Sequence, residues 1–205
     1  MTTSVSTTWS RVRQLLEDRA PASARCLRPP ASREQIDSAQ RTMGLVFPEC
    51  LVELLSLTGG VEPDPRAGLL LPPMYLPVSL LRATELWRRK LEISGDSPSN
   101  NESTAGAAIQ GYSKYFFPVG DDTTGDLLVV DLRPGDLHGC IVAWGNVDGH
   151  FGSPVWGSVV EMWSDVADAL ETGSPAGSYR ESDPHLTRNG CAALFAPTGI
   201  VEWEF

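Results

Sequence analysis

Between Phe117 and Leu132 the chain reads Phe-Pro-Val-Gly-Asp-Asp-Thr-Thr-Gly-Asp-Leu-Leu-Val-Val-Asp-Leu. Asp121, Asp122 and Asp126, with Gly120 and Gly125, therefore share a turn between two apolar runs. Three chemistries suit such a turn: ligation of a hard cation, acid and base catalysis by paired carboxylates, or presentation of negative charge to a partner. An EF-hand loop counted from Asp121 would place Thr123 and Gly125 at its third and fifth positions and lacks the closing Glu, so that motif fails. A looser magnesium or calcium site on the same three carboxylates is the lesser reading. Paired acid and base work needs an enclosed cleft to separate two pKa values, and a turn bounded by glycines favours exposure to water.

Other sources of chemistry are sparse. His138, His150 and His185 stand apart in sequence, outside any His-x-x-x-His or Gly-x-Ser-x-Gly setting, and read as surface or loop histidines. No Gly-x-Gly-x-x-Gly or Walker-type loop offers a phosphate cradle. Cys26, Cys50, Cys140 and Cys191 form no Cys-x-x-Cys pair and no zinc-ligand spacing, and read as reduced, mostly core thiols. Neither a catalytic residue, a metal nor a cofactor is expected.

The 205 residues, 41% hydrophobic, suffice for one domain with a substantial core. A formal net charge of −10 argues against nucleic acid as the partner, since phosphate binding needs Lys and Arg to displace counterions. The charge is uneven: residues 1 to 50 carry seven Arg against five acids, whereas residues 111 to 172 carry ten acids against Lys114 and Arg133. No segment approaches the roughly 20 apolar residues of a membrane span, and the N-terminus lacks the pattern of a signal peptide. A cytoplasmic location and no membrane partner are expected.

The elements that must position the acidic turn are legible in outline. Residues 1–8 read as a flexible N-terminus. Trp9, Val12, Leu15 and Leu16 recur at helical spacing behind Thr7 and Thr8, which predicts a helix over about 8–19. Ser32-Arg33-Glu34-Gln35 is a capping box opening a helix that Gly44 stops, and a third helix runs from Pro48 to Thr58-Gly59-Gly60. Short edge strands follow at 69–71 and 75–78, limited by Pro72, Pro73 and Pro77. Leu80, Ala83, Thr84, Trp87 and Leu91 mark a helix whose Arg88-Arg89-Lys90 run reads as a solvated face. Residues 94–110 read as an exposed, mobile loop. Strands at 115–119, 127–131 and 140–144 then suit an antiparallel meander, with a further short strand near 151–156. Ser158-Val159-Val160-Glu161 caps a core helix carrying Val159, Trp163, Val166 and Leu170. Residues 173–205 form an extension ending in a hairpin, Cys191–Phe195 with Ile200–Phe205, paired to the sheet edge or to another chain. Of the six tryptophans, Trp144 and Trp156 lie among glycines and polar residues, the setting of a partly exposed interface anchor.

Helices, then a meander, then a helix give an α+β fold, with N-terminal helices packed on a mainly antiparallel, curved sheet and a core helix after the strands. The wording resembles the SMI1/KNR4 (SUKH) family over residues 9–172. Pro30-Ala31-Ser32-Arg33-Glu34-Gln35-Ile36, Met43-Gly44-Leu45-Val46-Phe47-Pro48 and Thr58-Gly59-Gly60 are similar to its opening. Phe117-Pro118-Val119-Gly120-Asp121, Gly125-Asp126 and Asp131-Leu132-Arg133-Pro134-Gly135 are similar to its strand, Gly-Asp turn and Asp-Leu-x-Pro-Gly step. Gln40 departs from the family's usual Glu, and Gly59-Gly60 from its usual Asn-Gly.

The resemblance implies a protein-binding domain, in bacteria chiefly an immunity protein that neutralises a toxin, in fungi a regulator of cell-wall synthesis. The residues then suggest a non-enzymatic domain whose acidic segment, through Asp121, Asp122, Asp126, Asp148 and Trp144, meets a cognate toxin, possible nucleases included, or another basic protein. The alternative is a regulatory scaffold docking through the 94–110 loop and the terminal hairpin.

Overall fold

The computed structural model describes residues 4–95, 98–150, 152–177, 179–180, 187–188 and 190–204. The first helix, α1 (Val5–Arg19), starts earlier than the sequence suggests, because Ser4 rather than Thr7 or Thr8 is its cap and accepts the Thr7 N–H. Residues 5–8 thus belong to the helix, and Val5, Trp9, Val12 and Leu16 face the core. A short α2 (Pro21–Arg25) follows. The capping box of α3 (Arg33–Met43) is complete, with the Gln35 N–H donating to Ser32 Oγ and the Ser32 N–H to Gln35 Oε1. Gln40 is not idle at its departure from the family pattern: its Oε1 accepts the Phe47 N–H at 2.7 Å and fixes the step into α4 (Glu49–Leu57). A carboxylate oxygen could accept the same bond. Gly60, at φ +73°, closes α4 against the strand pieces, where a Cβ would meet the Pro77 carbonyl oxygen at 2.5 Å.

The sheet is antiparallel in the order β1 (Leu76–Pro77), β2 (Phe116–Asp121), β3 (Leu127–Asp131), β4 (Ile141–Trp144). Leu71 and Tyr75 form only an isolated bridge, as do Trp156 and Ile141; Phe151, in the strand expected near 151–156, lies outside the described residues. A register break between Pro118 and Gly120 bends β2, so the sheet curves. Both faces are covered. Phe117, Val119, Leu128, Val130 and Ile141 pack toward α1, α3, α4 and α7 (Val159–Thr172). Phe116, Leu127, Val129, Val142 and Trp144 pack with Leu86 of α5 (Leu80–Ser94), Ile109 and Tyr112. Period-2 alternation here divides two cores instead of core from water. Among the described residues no helix is long and apolar enough to cross a membrane.

The segment expected to be an exposed, mobile loop is packed against the domain over part of its length. After the short α6 (Pro98–Glu102), Ala105 and Ile109 are buried, and the Gly106 N–H donates to Asp131 Oδ2 at 2.8 Å. Asp131 and Arg133 are both fully buried and joined through Nε to Oδ1 at 2.9 Å and Nη2 to Oδ2 at 2.6 Å. Arg133 also donates to Ser103 Oγ and to the Ala107 carbonyl. The segment's many small polar residues look unable to pack because their partner, a buried ion pair, is remote in sequence. His150 is a second correction: it is buried, with Nδ1 3.2 Å from the Ala143 carbonyl and Nε2 3.4 Å from that of Gly106, and burial pulls its pKa down. His138 is exposed as expected, while His185 lies outside the described residues.

Beyond α7, strands β5 (Tyr179–Arg180) and β6 (Thr187–Arg188) pair, and β7 (Ala192–Phe195) pairs with β8 (Val201–Glu204). The terminal hairpin forms its own two-stranded sheet and does not pair with the main one. It packs on the N-terminal helices: Val201 N–H donates to Ser23 Oγ, Leu69 N–H to the Val201 carbonyl, and Trp203 Nε1 to the Leu69 carbonyl. Val201 and Ala193 of this extension lie in the main core cluster. Cys140 and Cys191 are buried, and Cys26 and Cys50 half-buried.

Candidate partner-binding site at the acidic tip

The turn joining β2 to β3 is organised by its own carboxylates. Asp122 Oδ1 accepts the N–H groups of Thr124, Gly125 and Asp126 at 2.8, 2.9 and 2.9 Å. That anchoring holds Thr123 at φ +71°, an unfavourable conformation for a β-branched residue. Asp121 Oδ1 takes the Thr123 N–H, and its Oδ2 takes Arg82 Nη2 at 2.9 Å. Asp126 Oδ1 receives the Asn146 N–H at 2.8 Å, which ties the turn to the loop after β4. From behind, Lys90 Nζ donates to the Gly125 carbonyl and to Asn146 Oδ1, both at 2.8 Å, and lies 4.7 Å from the centre of the Trp144 ring. Burial lowers the Lys90 pKa, and the neighbouring Asp126 charge works against that shift.

Beside the turn, Gly145 and Gly149 pair through both backbone bonds and push Asn146, Val147 and Asp148 outward. Gly149 sits at φ +77°, where a Cβ would meet the Ile109 carbonyl oxygen at 2.3 Å, so the turn depends on glycine. Val147 is 88% exposed and Asp148 is exposed beside it. The two turns make one tip, acidic at its margin and apolar at its summit.

Of the five residues expected to contact a partner, Asp122, Asp126 and Asp148 reach this surface. Asp121 is buried against Arg82 and braces α5 on β2. Trp144 is only 2% exposed: its indole N–H donates to the Gly111 carbonyl and its ring meets Tyr112 edge-on at 5.1 Å. Glycine and polar neighbours along the chain misread it, since the ring points into the second core. Trp156 is buried likewise, its N–H held by Asp165 at 2.7 Å. Sequence reasoning also missed Val147 and Lys90. An apolar residue inside Gly-Asn-Val-Asp-Gly was one available signal. Lys90 lies seven residues after Ala83 on the apolar stripe of α5, which the Arg88-Arg89-Lys90 run obscures.

Asp121, Asp122 and Asp126 accept backbone N–H groups, and among the described residues no three His, Cys, Asp or Glu side chains converge to hold a metal ion. A groove of about 870 Å³ lies elsewhere, between α3 and α5, lined by Arg25, Arg28, Ala39, Leu80 and Leu81. Glu62, the acid on its wall, is paired with Arg28.

No curated protein matches the chain. The profile of the SMI1 / KNR4 family (SUKH-1), known for immunity proteins and related, generally non-catalytic domains, matches residues 30–172. That span contains the capped α3, the Gln40-braced step into α4, the bent hairpin with its acidic tip and the buried Asp131–Arg133 pair; the chain belongs to the SMI1/KNR4 family.

Proposed function

We propose that this chain is a non-enzymatic immunity protein of the cytoplasm that neutralises a cognate protein toxin by covering its working surface, the acidic tip meeting a basic partner. The observation that carries the reading is the union at the tip of exposed Val147 with Asp122, Asp126 and Asp148. An apolar summit with charged margins has the anatomy of an interface, the centre supplying desolvated contact and the rim steering approach. A nuclease toxin fits this chemistry, because a groove that binds phosphate must be positive, and an acidic inhibitor placed in it excludes the substrate. The bonds of Ser103 and Ala107 to Arg133 and of Gly106 to Asp131 tie down part of the loop that a scaffold reading would use, which favours the immunity reading.

Co-expression with the product of the neighbouring gene, scored by growth, tests the proposal. Rescue by the wild type, and loss of rescue with the folded variant Val147→Asp, Asp148→Lys, is the expected result. Equal rescue by both would place the interface elsewhere.

A further inference from the structure

Beneath the tip lies a small cavity of about 150 Å³ walled by Tyr75, Asp126, Trp144, Asp148, His150 and Ser153. Tyr75 is 7% exposed, and among the described residues its hydroxyl makes no hydrogen bond. The ring is packed but the hydroxyl is not fully buried, so it opens onto the cavity that the ring helps to wall. Tyr75 shares the cavity wall with Asp126 and Asp148, and burial, then the charges of Asp126 and Asp122, raise its pKa. The other polar groups of the wall are also under-used. Asp126 spends Oδ1 on the Asn146 N–H, while the side chains of Asp148 and Ser153 have no partner among the described residues. His150 differs, since both of its ring nitrogens face backbone carbonyls.

The wall therefore offers two carboxylates and two hydroxyls, all able to accept. Of the two wall carboxylates, Asp126 lies near Lys90, whose ammonium is committed to the Gly125 carbonyl and Asn146, and Asp148 is exposed with no cation paired to it among the described residues. The complementary ligand is compact, cationic and rich in donors. A cavity of this size holds a benzene-sized group, and a guanidinium is planar, no larger, and carries five N–H donors in a fixed fork. An ammonium would supply three donors in a less matching geometry, at a higher cost of desolvation.

We infer that the cavity between Tyr75, Asp126 and Asp148 receives the guanidinium of an arginine presented by the protein partner. The inference rests on the partner-binding reading of the tip and deepens it, making the cavity the anchor point and Val147 the adjacent apolar contact. Asp148 and Asp126 would take the fork of N–H groups, Tyr75 Oη and Ser153 Oγ the remaining donors, with the arginine methylenes lying against the tip.

The test uses the whole protein, labelled with ¹⁵N, and capped peptides: acetyl-Gly-Arg-Gly-amide against its citrulline and lysine counterparts, with free arginine as a further arm. The arginine peptide should shift the amides of Gly145, Gly149 and Ser153 and the Trp144 indole N–H saturably. Tyr75→Phe should weaken it about fivefold and Asp148→Asn about tenfold, with core resonances unmoved. Equal binding of the citrulline peptide, tighter binding of free arginine, shifts centred elsewhere, or no saturation below about 50 mM would each overturn the assignment. Rescue against a toxin without arginine-peptide binding would sink the cavity alone. Binding of the peptide without rescue would sink the immunity reading alone.

Discussion

Replacing Arg133 with Met keeps a long, apolar stem in a fully buried position but deletes the guanidinium, and this is where the fold is most exposed to a single change. Asp131 would keep the N–H donors of Gly106 and Arg133 itself, at 2.8 and 3.1 Å, and lose its charge partner together with three side-chain bonds. Removing one member of a buried pair leaves an uncompensated charge and costs about 3–5 kcal/mol. Ser103 Oγ and the Ala107 carbonyl lose their donor too, and the 103–107 segment with them its tether. For a domain of this length the loss corresponds to a melting temperature lower by roughly 6–20 °C. Thermal unfolding by circular dichroism gives the magnitude, and native-state hydrogen exchange gives the location: Gly106 and Ala107 should lose protection before the strands do. The double variant Asp131→Asn, Arg133→Met should recover part of the loss, because the orphaned charge is gone. A single variant within about 1 kcal/mol of wild type, or a double variant worse than the sum of the singles, would refute the reading of this pair as the anchor of the 103–107 segment.

Lys90→Met should loosen the tip without unfolding the protein, raising amide exchange at Gly125 and Asn146 while residues of β3 remain protected; uniform loss of protection would contradict the bracing role. His150 is held neutral by burial, so its folded pKa lies below the ordinary 6.5 and the unfolded chain binds the extra proton. Its contribution is complete above that value and is lost as pH falls below it, by at most about 1.4 kcal/mol per pH unit, and His150→Asn should flatten the stability profile of denaturant melts below pH 6.5. Burial pushes the Cys140 thiol up to about 12, so native protein should react with a thiol reagent at Cys26 and Cys50 while Cys140 stays silent until unfolding. Ser158→Ala removes the Oγ that receives the Glu161 N–H at the start of α7 and should cost about 1 kcal/mol in denaturant melts.

Local signals carried far in this sequence. The caps at Ser32 and Ser158, the stops at Gly44 and Gly173 and the three strands of the meander are written in neighbouring residues, so the α+β order was readable. What failed is information held across the chain. Residues 103–110 look like a solvated loop until Arg133 and His150 are placed against them, and Trp144 looks like a surface anchor until Tyr112 and Gly111 close over it. The acidic tip was legible as composition, but the split of its acids was not. Asp121 is taken by a helix residue 39 positions earlier, and the apolar summit at Val147 is raised by a glycine pair on a different loop.

The central claim is that the tip binds a basic protein, and the affinity of the purified chain for the neighbouring gene's product, measured as a function of salt, tests it most directly. Charge complementarity at the rim predicts an association rate that falls steeply with ionic strength, and a smaller slope for Asp148→Asn and Asp122→Asn. An affinity indifferent to salt and to both substitutions would contradict it.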